Sequence, residues 1–157
     1  MENGIPLQIC FNQHLEKWTN EFKEDALKGK IEAMIIYAKM LFNGSSFNPP
    51  DIEQAVFWLQ KACFNSAEAS FILGKLFNKG KKVQKDEEKA YFYYRVAASF
   101  KCKCGRMADE FHNYRITNVH TCYIFEASLQ LRTFNLPEID KLEARFQQWV
   151  SSLDLEI

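Results

Sequence analysis

Hydrophobic and polar positions alternate most clearly between residues 69 and 98. Ala69, Leu73, Leu76 and Phe77 fall at helical spacing on one face, and Ala90, Tyr93, Tyr94 and Ala97 form a second stripe. Gly80 lies between them and is expected to stop the first helix, because a left-handed residue is needed just past a helix end. Asp86 is placed to cap the second, with Glu87 and Glu88 against the positive end of its dipole. Small residues at Ala69, Gly74, Ala90, Ala97 and Ala98 let the two helices approach closely.

The same pattern occurs upstream. Ala33, Leu41 and Gly44 lie 36 residues before Ala69, Phe77 and Gly80. Asp51, Ala55, Trp58 and Ala62 lie 35 residues before Asp86, Ala90, Tyr93 and Ala97. The difference of one residue is confined to the turn, where an insertion costs least. A fixed period of this size carrying a helix–turn–helix marks a stacked helical repeat.

The remaining pattern extends the array. Residues 1 to about 11 read as a lead-in, and 12–28 as a helix with Leu15, Trp18, Phe22 and Ala26 on one face. Phe22 and Ala26 lie 36 residues before Trp58 and Ala62, so this helix reads as half of a repeat closing the N-terminal end. Lys28-Gly29 ends it. Helices are predicted over 30–43 and 51–63, with Asp51 and Gln54 in capping-box spacing, and again over 66–79 and 86–100. Beyond Lys101 the repeat fades: Cys104 and Phe111 fall at repeat positions, but the Leu-Gly pair has become Ala108-Asp109. Helices are expected at 104–115 and 118–134, and Pro137 suits the first residue of a last one. Ile139, Leu142, Phe146, Trp149 and Leu153 keep helical spacing there, so its one apolar side is expected to cover the end of the stack.

Composition agrees with a single domain over 1–157. Aromatics are 15% of the 157 residues, and Phe occurs 14 times, which suits many helix–helix contacts. Twenty basic residues balance twenty acidic ones, so charge gives no reason to expect nucleic acid or an anionic membrane as the main partner. The start Met-Glu-Asn-Gly-Ile-Pro lacks the pattern of a signal peptide, and no apolar run is long enough to span a membrane. Five cysteines, Cys10, Cys63, Cys102, Cys104 and Cys122, are odd in number and irregular in spacing. Reduced thiols in a cytoplasm are the expectation.

The run Ala69-x-x-x-Leu73-Gly74-x-x-Phe77-x-x-Gly80-x-x-Val83-x-x-Asp86-x-x-Lys89-Ala90-x-x-Tyr93-Tyr94-x-x-Ala97-Ala98 resembles a Sel-one-like repeat, a relative of the tetratricopeptide repeat. The upstream copy has Tyr37-Ala38 for Leu-Gly and Phe47-Asn48-Pro49-Pro50 for the Gly-Val turn. The resemblance covers about residues 22–101. It implies an all-α fold, a short right-handed α-solenoid of helix–turn–helix repeats with helical caps, that binds proteins and carries out no reaction. Some extracellular relatives hold a cysteine pair at a constant place in each repeat. Here Cys63 corresponds to Ala98, so that pattern is absent. Small free-standing relatives in bacteria act as adaptors or as immunity proteins that neutralise a toxin.

Candidate chemistry changes this picture little. Cys102, Cys104, His112, His120 and Cys122 cluster in sequence, but neither C-x-x-C nor H-x-x-x-H spacing is present, and two positions two apart on a helix point to opposite sides. Buried free thiols are the expected state, and no metal or other cofactor is called for. Gly74 to Lys82 has five residues between its glycines and no Ser or Thr after the lysine, so it is not a phosphate loop. Lys79, Lys81, Lys82 and Lys85 make a basic turn offset by Glu87 and Glu88. His14, His112 and His120 lie in no nucleophile motif.

The first helices of such repeats line the concave surface in the resembled family. On them Ile35 and Phe71, and Lys39 and Lys75, recur 36 apart, and Phe42 and Asn78 follow at the same spacing. Ile35 and Phe71 serve either the repeat core or a partner anchor; Lys39 and Lys75 are expected to be exposed. The reading is a non-catalytic module binding a protein partner such as a toxin or effector through Ile35, Lys39, Phe42, Phe71, Lys75 and Asn78. The alternatives are a self-associating structural protein and a hydrolase of the cysteine-rich branch.

Overall fold

In the computed structural model of the chain, residues 7–45, 48–101 and 122–153 are described, and they form seven helices with no strand among them. The helices are α1 (Leu7–Leu27), α2 (Ile31–Asn43), α3 (Ile52–Ala62), α4 (Ala67–Lys79), α5 (Glu87–Ser99), α6 (Tyr123–Leu131) and α7 (Leu136–Ser152). The architecture is all-α, with two helix–turn–helix repeats in tandem, α2–α3 and α4–α5, the building blocks of an α-solenoid. The chain groups into two compact units, Met1–Asn65 and Ser66–Ile157.

Within the first unit α1 packs on α2, and α2 on α3. Ala33, Tyr37, Ala38, Ala55, Trp58 and Leu59 are buried, and the Trp58 ring meets Tyr37 edge-on at 5.9 Å. The side chain of Asp51 accepts the Gln54 amide at 3.0 Å, capping α3. The Asp51 amide donates instead to the Leu41 carbonyl across the turn, so the reciprocal half of the expected capping box is taken by backbone. Two further expectations are corrected here. α1 begins at Leu7, so residues 7–11 are helical rather than a lead-in. Of the face expected on α1 only Ala26 is buried; Leu15 and Phe22 are half-buried, and Trp18 is 51% exposed.

Within the second unit α4 and α5 form the repeat hairpin, α6 packs on both, and α7 packs on α5. Gly80 is left-handed (φ 63°, ψ 24°), and its amide closes α4 on the Leu76 carbonyl. Ser66 caps α4 and Asp86 caps α5 through the Lys89 amide. Ala69, Leu73, Ala90, Tyr94 and Ala97 are buried, and the Phe77 ring stacks on Tyr93 at 5.8 Å. α6 is shorter than the predicted 118–134: three-residue backbone bonds, such as Thr133 to Gln130, turn the chain at 132–134 toward α7, which has Pro137 in its first turn. The helix expected at 104–115, with Cys102, Cys104, His112 and His120, lies outside the described residues.

Candidate protein-binding surfaces

The predicted site residues form one stripe on each first helix. Ile35, Lys39 and Phe42 are spaced i, i+4, i+7 on α2, and Phe71, Lys75 and Asn78 are spaced the same way on α4. Each stripe belongs to its own compact unit.

On α2 the stripe runs from core to solvent. Ile35 is 4% exposed, so it packs in the core and offers a partner no side-chain surface. Lys39 is exposed and Phe42 is half-buried. On α4 Phe71 is half-buried, its ring 5.7 Å from Tyr94 and 5.6 Å from Tyr123. Tyr123 reaches over from α6 and donates its hydroxyl hydrogen to Glu68 Oε1 at 3.2 Å. Burial raises the Tyr123 phenol, and the nearby Glu68 charge adds to the effect. Asn78 is half-buried and hydrogen-bonds the Tyr94 hydroxyl, while Lys75 is exposed. The stripe on α4 therefore pairs an exposed cation with an amide and an aromatic already fixed by their neighbours. Such groups lose little entropy when a ligand arrives.

The strongest polar cluster was not singled out in the sequence. Glu143 on α7 accepts from Tyr91 at 2.7 Å, from Arg95 Nε at 3.1 Å, and on its other oxygen from Arg95 Nη2 at 3.2 Å and Gln147 at 3.0 Å. Burial alone would raise the Glu143 carboxyl, but those hydrogen bonds and the Arg95 charge outweigh it, and the net shift is downward. Burial, reinforced by the bond to Glu143, pushes Tyr91 up to about 12. The cluster holds no nucleophile; it fastens α7 to α5. Its one sequence signal is Arg95, the only charged residue in the stretch 90–98 of that repeat helix.

No group of three or more His, Cys, Asp or Glu could hold a metal ion among the described residues. The thiol of Cys63 is buried and pushed up to about 12 by that burial, so it is a core residue and not a nucleophile. Among the described residues no helix is long and apolar enough to cross a membrane.

A search of curated proteins gave no match. The Sel1 repeat family matches residues 31–63 and 67–99, which coincide with the hairpins α2–α3 and α4–α5. Sel1 repeats are protein–protein interaction modules, and residues 31–63 and 67–99 of this chain are a tandem pair of them.

Proposed function

We propose that this chain is a non-catalytic binding module for one cognate polypeptide, acting in the bacterial cytoplasm as an adaptor or as an immunity protein that neutralises a toxin or effector. The observation that carries the reading is the recurrence, on two repeat helices, of an exposed lysine at one position, Lys39 and Lys75. Exposed cations at matching positions of the two repeats suit a partner with acidic side chains. Phe42, Phe71 and Asn78 flank them and supply apolar area and an amide.

Affinity capture from the source cell, with Lys39→Glu/Lys75→Glu as the control, tests this. The expected result is a stoichiometric protein partner that the wild-type chain retains and the charge-reversed variant loses, while both keep the same helical circular dichroism. Recovery of no stoichiometric partner, or equal recovery by both, overturns it.

A further inference from the structure

The turn that joins α4 to α5 carries charge that its counterpart in the first repeat lacks. Residues 44–50, between α2 and α3, include no charged side chain. Residues 79–85 include four lysines, Lys79, Lys81, Lys82 and Lys85, all of them exposed. In the sequence Glu87 and Glu88 offset these cations, but in the fold the acids are largely engaged elsewhere. Glu88 pairs with Arg145 of α7 at 2.6 Å, and Glu87 takes only Lys85, at 2.9 Å. Asp86 caps α5 and pairs with Lys89 at 3.5 Å. Among the described residues Lys79 and Lys81 have no acidic partner. The turn is also closed on itself, which gathers its lysines at one end of the hairpin. The Asp86 amide donates to the Phe77 carbonyl at 3.1 Å, and Lys85 lies so near Gly80 that a Cβ on that glycine would stand 2.6 Å from Lys85 Cβ. Exposed Lys75 lies one helical turn before Lys79, about 6 Å along the axis, so the cationic surface runs on to the stripe of α4.

We propose that this end of the second hairpin seats an extended acidic segment of the partner polypeptide, which runs from Lys75 past Lys79 to Lys81. Alternate residues of an extended chain fall on one side about 6.6 Å apart, close to the rise from Lys75 to Lys79. Asp or Glu at every second position therefore meets the lysines in turn. Charge complementarity selects an anionic partner, and the rings select a polypeptide over single-stranded nucleic acid. Phe77, whose carbonyl closes the turn, is 8% exposed and stacked on Tyr93, so no ring beside these lysines offers a base a stacking platform. The inference rests on the chain being a binder of a polypeptide, and it names the segment that is bound.

The test uses the full chain, isotope-labelled for amide shifts, at low salt. The probe is a synthetic peptide of alternating glutamate and serine, ten residues long, with its glutamine counterpart as the control and a ten-nucleotide single-stranded RNA as the rival. The expected result is saturable shifts over residues 75–86 with the glutamate peptide alone, none over 43–51, and weakening as salt is added. Lys79→Gln/Lys81→Gln, both at exposed positions, is expected to weaken binding about fivefold, the size of two solvent-exposed ion pairs, with helical circular dichroism unchanged. Absence of saturable shifts, shifts of equal size around Lys17 and Lys23 on α1, or binding indifferent to Lys79→Gln/Lys81→Gln overturns the proposal. So does tighter binding of the RNA, which would make the surface one for nucleic acid. The affinity capture fails separately: a captured partner that Lys79→Gln/Lys81→Gln retains in full sinks this seat and leaves the binding module standing.

Discussion

The ring of Tyr94 occupies the space into which a side chain on Gly74 would grow: a Cβ there would stand 2.6 Å from Tyr94 Cδ1. The equivalent positions in the first repeat are Ala38 and Leu59, both buried. The first repeat thus has a methyl group and an aliphatic chain at these two positions, and the second sets bare backbone against an aromatic ring. Gly74→Ala is expected to cost about 1–3 kcal/mol through overpacking. In the double variant Gly74→Ala/Tyr94→Leu, which installs the first repeat's pair, the loss is smaller than the sum of the two single losses. Urea unfolding of the four proteins measures the coupling.

The aspartate caps are expected to count equally in the two repeats. Asp51 and Asp86 each accept one first-turn amide at 3.0 Å. Replacing either by alanine should lower stability by about 1 kcal/mol, and replacing it by asparagine should change little, since the amide oxygen still accepts. Thermal melts of Asp51→Ala, Asp86→Ala and Asp86→Asn decide this.

Glu143 links stability to pH. Its carboxyl titrates lower in the folded chain than in the unfolded one. Its contribution is therefore present above the unfolded value and is lost as pH falls from there through the lower folded value. Other carboxylates titrate in the same range, so the informative quantity is the difference between wild type and Glu143→Gln. That difference should be constant near neutral pH and shrink on acidification below the ordinary glutamate range. Denaturant midpoints of the two proteins across pH provide the measurement.

Cys63 should behave as a buried thiol. Its Sγ–H donates to the Gln60 carbonyl at 3.1 Å, and with its pKa near 12 almost no thiolate exists at neutral pH. A thiol reagent is expected to modify it only at the rate at which the first unit opens. Labelling followed by mass spectrometry, with and without denaturant, reads this directly.

The repeats were legible in the sequence because each of their requirements is local. Gly80 must be left-handed, Asp86 must face a free amide, and Ala90 and Ala97 must be small. Each requirement is met by a residue type at a fixed distance from the next. The attachment of α7 was not legible. It joins Glu143 to Arg95 and Trp149 to Phe92 across about fifty residues, and no spacing rule links them. Periodicity also misled at its edges. Trp18 has the spacing of a core residue but stands exposed, and Ile35 sits on the same stripe as exposed Lys39 while lying in the core. Spacing names a face; depth along that face depends on which neighbouring helix reaches it.

The two turns differ by one residue, yet in both the capping aspartate's amide meets the matching carbonyl: Asp51 to Leu41 at 2.9 Å, and Asp86 to Phe77 at 3.1 Å. A clasp of this kind does not count the links between its ends. Foreign sequence grafted between Gly44 and Asp51 would be carried as an outboard bow, with α2 and α3 meeting as before, since loop closure grows costly only slowly with length. The first hairpin is in this sense a mounting point, where an epitope or a fluorophore could ride without altering the scaffold beneath it.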